Sequence, residues 1–129
     1  MSSQRRVVVT GLGIVSPLGN DIDTSWQNII EGKSGASEIT KFDPSSFATH
    51  FAAELKGYDE ISGISPKEKR RFDPFVQYAI TASDQAIIDA NLSLEDIDIT
   101  KVGVSIGSGI GGLGTVSYTH LTLPTKRIV

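Results

Sequence analysis

The sequence predicts an α/β fold in which helices cover a sheet, and three features of the chain carry this prediction. Two runs rich in β-branched residues, 6–10 and 102–106, are apolar on both faces, as strands buried between helix layers are. A long helix is predicted over 74–90, between the two runs. Strand, helical crossover and strand are the units of a layered α/β domain, and 129 residues suffice for one such domain.

A first helix is predicted shortly after the strand at 6–10. Asp23 or Thr24 can act as its N-cap, and Gly32 can end it. The apolar side chains that share one face of this helix are Trp26, Ile29 and Ile30. Residues 33–64 have no clear period and are predicted as loop with short extended pieces.

The clearest helix begins at Asp73, which suits the N-cap, with Pro74 in the first turn. Asn91 is placed for a left-handed C-cap. Its apolar residues cover more than one stripe, which predicts burial on several sides. Just before it lies a basic cluster, 67–71, where Ser65-Pro66 suits the start of a short helix.

Composition and charge exclude several classes of function. A net charge of −3 argues against a general nucleic-acid binder, and the absence of cysteine excludes disulfides, thiolate metal sites and a thiol nucleophile. No apolar run approaches the roughly 20 residues of a membrane span, and no signal-peptide pattern is present. The sequence therefore predicts a cytoplasmic protein.

Neither histidine has a clear catalytic or metal-binding context. His50 lies beside aromatic residues without an acid partner, and His120 lies in an unusual C-terminal tail. Metal-ligand spacing is absent, and no serine combines a nucleophile elbow with a usable histidine and acid downstream. The sequence therefore predicts no catalytic residue and no metal site in this chain.

A glycine-rich run allows two interpretations. Gly107, Gly109 and Gly112 fit G-x-G-x-x-G after a predicted strand, the pattern in which a helix N-terminus receives a pyrophosphate. The full signature needs a following helix and an acidic residue about 20 positions on, but no helical period follows and the last acidic residue is Asp98. A structural turn is one interpretation, and a small nucleotide-binding α/β module is the alternative.

The basic cluster 67–71 also has two interpretations. It can be a solvated helix face, or it can dock an acidic partner through charge-assisted hydrogen bonds and electrostatic steering.

Taken together, the motifs resemble the β-ketoacyl-[acyl-carrier-protein] synthases, in particular the elongating type II class of bacterial fatty acid synthesis. The resemblance covers residues 5 to about 115. The matching residues are Arg5–Gly13, Ser16–Gly19, Trp26, Gly32, Ser34-Gly35, Phe42-Asp43, Glu68, Arg70, Asp73, Phe75, Gln77-Tyr78 and Ile106–Gly112.

The resemblance implies a partial thiolase-like fold, a layered αβαβα arrangement of which this chain carries the N-terminal portion only. It implies a homodimer that needs no cofactor and catalyses a decarboxylating Claisen condensation with malonyl-acyl carrier protein. The acyl group is held as a thioester on a cysteine, and two histidines assist decarboxylation. None of these three residues has a counterpart here, so the chain as written is predicted to be inactive.

What the resemblance carries onto this chain is peripheral to catalysis. Lys67, Arg70 and Arg71 match basic residues that dock the acidic acyl carrier protein. Ile110 matches a residue lining the acyl pocket, and Gly107, Gly109, Gly111 and Gly112 match the turn that shapes the pocket. A non-catalytic fragment that binds the carrier protein is therefore a further alternative.

The end of the chain departs from the family pattern. Residues 1–115 are predicted to be the N-terminal part of the synthase N-terminal domain, and 116–129 a non-native, unstructured tail. Residues 116–125 resemble a translated frame of the adapters ligated to DNA for sequencing; a natural frameshift is the alternative. Because strands 6–10 and 102–106 belong in a larger sheet, the chain is predicted to expose apolar faces and to fold poorly.

Overall fold

A computed structural model of the protein describes residues 5–93, 95 and 97–122. The helices are α1 (Ile22–Ile30), α2 (Tyr58–Ile61), α3 (Pro66–Lys69), α4 (Pro74–Asp89) and α5 (Leu113–Thr122), with a 3₁₀ turn at Ile99–Lys101. The strands are β1 (Ser37–Glu38) and β2 (Phe51–Ala52). Among the described residues, no helix has the length and apolar character needed to cross a membrane.

Helix α1 begins earlier than predicted, because Asp21 rather than Asp23 or Thr24 is the N-cap. The Asp21 carboxylate accepts the Thr24 backbone N–H at 2.8 Å and the Thr24 hydroxyl at 2.8 Å. These hydrogen bonds, the backbone one first, lower the pKa of Asp21. The predicted end is confirmed, since Gly32 follows the helix with a φ of 66°, a conformation that favours glycine.

Helix α4 confirms its predicted start and end. Asn91 has a φ of 47°, and the Leu92 N–H donates to the carbonyl of Ile87, as in a Schellman-type C-cap. The predicted burial on several sides is wrong, however. Of its residues only Thr81 is fully buried, while Ile88 is 78% exposed.

The two predicted strands are not formed as strands. Within the described residues, neither 6–10 nor 102–106 joins a β-ladder, and the sheet consists of β1 and β2, paired antiparallel. These two strands are the short extended pieces expected within 33–64. A strand needs a partner for its backbone groups, and the described chain offers 6–10 and 102–106 none. Apolar exposure is as predicted: Val7 is 88% exposed and Val104 83%, and no apolar side chain of the described residues is fully buried.

The segment 11–14, which follows the first predicted strand, lies directly on α4. The Leu12 N–H donates to the Asp89 carboxylate at 2.8 Å, and the Ile14 N–H donates to Gln85 Oε1 at 3.0 Å. Gln85 also donates through Nε2 to the carbonyl of Asn20 at 2.7 Å. Two side chains of α4 therefore accept the backbone N–H groups that a neighbouring strand would otherwise pair.

Helix α5 corrects the predicted tail. Residues 116–122 continue this helix, so the expectation of an unstructured 116–129 is wrong for them. Residues 123–129 lie outside the described residues. The non-native origin of the tail stays a prediction.

Candidate functional site

The basic cluster is built on α3 and the turn that follows it. Ser65 and Glu68 form a capping box: the Ser65 hydroxyl accepts the Glu68 N–H at 3.3 Å, and the Ser65 N–H donates to Glu68 Oε2 at 3.2 Å. We refer to residues 69–72, the last residue of α3 and the three that follow it, as the basic turn. Lys67, Arg70 and Arg71 are exposed, and no salt bridge engages them in the described part of the chain.

Lys69 differs from the other cations of the cluster, because it points into the structure. Its Nζ lies 2.8 Å from Asp59 Oδ1 and 5.8 Å from the centre of the Tyr58 ring, and its side chain is only 24% exposed. An opposite charge and an aromatic face both stabilise an ammonium group there. The charge left for a partner is therefore that of Lys67, Arg70 and Arg71.

Helix α2 supplies the partners of Lys69 and rests on α4. The Tyr58 hydroxyl lies 3.1 Å from Thr81 Oγ1, and the Tyr58 ring meets Tyr78 edge to face with centroids 4.9 Å apart. The Thr81 hydroxyl also bonds to the backbone of α4, at the carbonyl of Gln77. These roles were not predicted, because α2 lies in a stretch expected to be loop. The one signal in the sequence was the adjacent aromatic and acidic pair Tyr58-Asp59, both of which can contact a cation.

Acid is expected to weaken the capping box at the start of α3. The Ser65 hydroxyl, and after it the Ser65 N–H, lowers the pKa of Glu68. A carboxyl whose pKa is depressed by folding stabilises the fold above its unfolded value of about 4.3, and this contribution is lost as pH falls through the folded pKa. In NMR titrations the Ser65 amide shift should therefore have its midpoint below about 4.3.

The control for this titration is Ser65→Ala, which removes the hydroxyl that is the largest cause of the shift. The Glu68 carboxyl shift in this variant should titrate nearer the unfolded value. If the Glu68 carboxyl titrates at the same pH in both proteins, the Ser65 hydroxyl does not lower its pKa.

The glycine run bends at residues 109 and 110, and the simpler interpretation expects a tight turn there. Gly111 has a φ of 73°, and its N–H donates to Ser108 Oγ at 3.0 Å. A Cβ at Gly107 or Gly109 would meet open space, and Ile110 is 80% exposed. Nothing in the described part of the chain packs against these two glycines, so the role of the run in an acyl pocket stays a prediction.

One feature of the structure supports the nucleotide-binding alternative, and another opposes it. A helix does follow Gly112, contrary to the sequence prediction, but the carboxylate of Asp73 stands at its N-terminus. The Thr115 hydroxyl donates to Asp73 Oδ1 at 2.7 Å, whereas Asp73 makes no side-chain capping bond to α4, for which it was predicted. A carboxylate repels a phosphate from the place where a pyrophosphate would bind, so the geometry disfavours nucleotide binding.

The structure describes the side chain of one of the two histidines, His50. His50 is exposed, and its Nε2 lies 2.6 Å from the carbonyl oxygen of Phe47, to which it donates. The side chain of His120 lies outside the described residues. Across the part of the chain that the structure describes, no group of three histidine or acidic residues is placed to hold a metal ion.

This arrangement of helices is similar to that of a solved ketosynthase. The chain matches "The ishigamide ketosynthase/chain length factor" with a TM-score of 0.64 and 31% identity, over 74% of this chain and 24% of the other. The fold is thus the N-terminal portion of a ketosynthase, a thiolase-like protein.

Sequence comparison identifies the family. The profile described as "Beta-ketoacyl synthase, N-terminal domain" matches residues 4–127, and the chain belongs to this family. It is 44% identical over 126 residues to 3-oxoacyl-[acyl-carrier-protein] synthase 2 of Staphylococcus aureus, and 44% identical over 124 residues to the synthase of the same name from Vibrio harveyi. The two alignments cover 98% and 96% of this chain but 30% of each relative. The matched range includes residues 116–125, whose resemblance to adapter DNA stays a prediction.

Proposed function

We propose that the protein to which this chain belongs is a 3-oxoacyl-[acyl-carrier-protein] synthase. Its reaction is the decarboxylating condensation of an acyl thioester with malonyl-acyl carrier protein in fatty acid elongation, carried out as a homodimer. The support is the 44% identity to two synthases of that name, each about three times as long as this chain. The chain itself, which has no cysteine, is proposed to be catalytically inactive.

The role proposed for this chain is docking of the acyl carrier protein. The observation that carries it is the set of exposed cations without a salt bridge in the described structure: Lys67, Arg70 and Arg71. An acidic partner gains charge-assisted hydrogen bonds from such side chains, and its approach is accelerated by their field. The chain as a whole has a charge of −3, so the attraction depends on this local cluster.

The glycine run has a proposed role in the whole enzyme. Ile110 and the flanking glycines 107, 109, 111 and 112 are proposed to form one wall of the acyl pocket. Ile110 is free to do so, because its side chain is 80% exposed and apolar.

Charge reversal at the basic turn tests the docking role. Arg70→Glu is expected to weaken binding of acyl carrier protein by about tenfold or more at low salt, since one attraction becomes a repulsion. The wild-type affinity should also fall as salt is added. Fluorescence anisotropy of labelled carrier protein, titrated with the 129-residue chain at two salt concentrations, measures both effects.

Lys101→Glu is the matched control. Lys101 is an exposed cation on the 3₁₀ turn, paired with Asp98 at 3.2 Å and outside the basic cluster. Its reversal also lowers the net charge by two, but binding should change little. Equal losses in the two variants would mean that net charge alone is sensed, and an unchanged affinity of Arg70→Glu would refute the docking role.

A further inference from the structure

We propose that Gln77 is a positioning residue for Arg70 and Arg71: its side-chain amide holds the basic turn in the conformation that presents both arginines. This inference rests on the proposed docking function and extends it to a residue that carries no charge and lies on another helix.

The side-chain amide of Gln77 bonds to the backbone on both sides of the Arg70-Arg71 pair. Its Nε2 donates to the carbonyl of Lys69 at 3.1 Å and to the carbonyl of Phe72 at 2.7 Å. These carbonyls belong to the residues immediately before Arg70 and immediately after Arg71. One amide group has two N–H donors, and here each has an acceptor on one side of the arginine pair.

The carbonyl of Lys69, at the end of α3, needs such a donor. The last carbonyls of a helix have no partner within the helix, and α3 ends at Lys69. The turn's own N–H groups bond to a different carbonyl: those of Arg71 and Phe72 both donate to the carbonyl of Glu68, at 2.8 and 3.0 Å. Gln77 therefore supplies from α4 the N–H donors that the turn does not provide for these two carbonyls.

Gln77 is itself well anchored. It lies in the first turns of α4, its N–H donates to the carbonyl of Asp73, and its own carbonyl accepts the hydroxyl of the buried Thr81. A rigid helix thus fixes the backbone of Arg70 and Arg71 while their side chains stay in solvent. Fixing the backbone beforehand lowers the entropy lost when a partner orders the turn.

The test is Gln77→Met in the 129-residue chain, a substitution that keeps the length of the side chain and removes both donors. Binding of acyl carrier protein is expected to weaken by about 3- to 10-fold. Amide hydrogen exchange at 70–72 should accelerate, while exchange in α1 stays unchanged. Gln27→Met is the matched control, because the Gln27 amide donates only to Glu31 Oε1 on α1, 2.7 Å away.

A double-mutant cycle separates positioning from a general structural effect. If Gln77 acts through the arginines, Gln77→Met should cause little further loss in a chain that already carries Arg70→Glu and Arg71→Glu. If Gln77→Met binds as tightly as the wild type, or if its effect is the same in both backgrounds, the inference is wrong. Gln77→Asn, whose amide is too short to reach both carbonyls, gives the same test if the methionine variant is poorly folded.

The two proposals fail in different ways. If Arg70→Glu leaves binding unchanged, the docking function fails, and exchange at 70–72 in Gln77→Met then decides whether the turn is held as described. If Arg70→Glu weakens binding and Gln77→Met does not, the docking function stands and the positioning role is refuted.

Discussion

Incubation of the 129-residue chain with an acyl thioester and malonyl-acyl carrier protein is expected to give neither a covalent acyl-protein nor a 3-oxoacyl product. The chemistry implied by the family resemblance begins with transfer of the acyl group to a cysteine, and the chain has none. Without an activated nucleophile the difficult acyl transfer is not divided into two easier steps. We therefore expect complete loss of the catalysed reaction, and not a few-fold reduction in its rate.

We expect no other group among the described residues to substitute for that nucleophile. A serine or threonine hydroxyl needs an adjacent general base, and among the hydrogen bonds of the described residues none joins His50 to such a hydroxyl; its ring bonds to the Phe47 carbonyl instead. Intact-protein mass spectrometry after denaturation measures any acyl adduct directly. The synthase from Vibrio harveyi, run in parallel, is the positive control for the substrates. An adduct that survives denaturation, or product above the no-enzyme blank, would overturn the prediction.

Local features of this chain were predictable from its sequence, whereas features that depend on distant residues were not. The positions of Gly32, Ser65 and Asn91 were predictable because a cap or a positive φ depends on a few neighbouring residues. The absence of strands at 6–10 and 102–106 was not predictable in this way, because a strand exists only with a partner. β-Branched composition reports that a segment suits a sheet, and not that the sheet is present.

The candidate site follows the same division. Charge patterning located Lys67, Arg70 and Arg71, and the structure leaves all three exposed. Charge patterning could not identify the separate role of Lys69, whose partner Asp59 lies ten residues earlier. It could not identify Gln77 either, because the acceptors of Gln77 are backbone carbonyls of a separate turn. Backbone acceptors have no signature in the sequence, so a neutral residue that binds them is visible only in three dimensions.

Gly13→Ala is expected to detach the segment 11–14 from α4. A Cβ at Gly13 would overlap the carbonyl oxygen of Ala82 and lie 2.9 Å from the backbone nitrogen of Ala86. Both are backbone atoms of one helix, so no side chain can turn aside to make room. Overpacking of this kind costs about 1–3 kcal/mol, and a clash with rigid backbone belongs at the upper end of that range.

The consequence extends beyond one methyl group, because the hydrogen bonds of the neighbouring residues depend on the same close approach. Moving the segment outward breaks the bonds from Leu12 N–H to Asp89 and from Ile14 N–H to Gln85. Hydrogen exchange measures these amides individually, and their protection should fall by about 30- to 150-fold, which corresponds to about 2–3 kcal/mol.

Gly103→Ala is the matched control for this substitution. It makes the same change at an exposed glycine whose Cβ would meet nothing within 4 Å. Protection of the Leu12 and Ile14 amides should stay at the wild-type level in this variant. If Gly13→Ala also keeps that protection, the close contact between 11–14 and α4 does not exist in solution. If both variants lose it equally, the cause is a general sensitivity of the chain to alanine rather than the contact with Ala82.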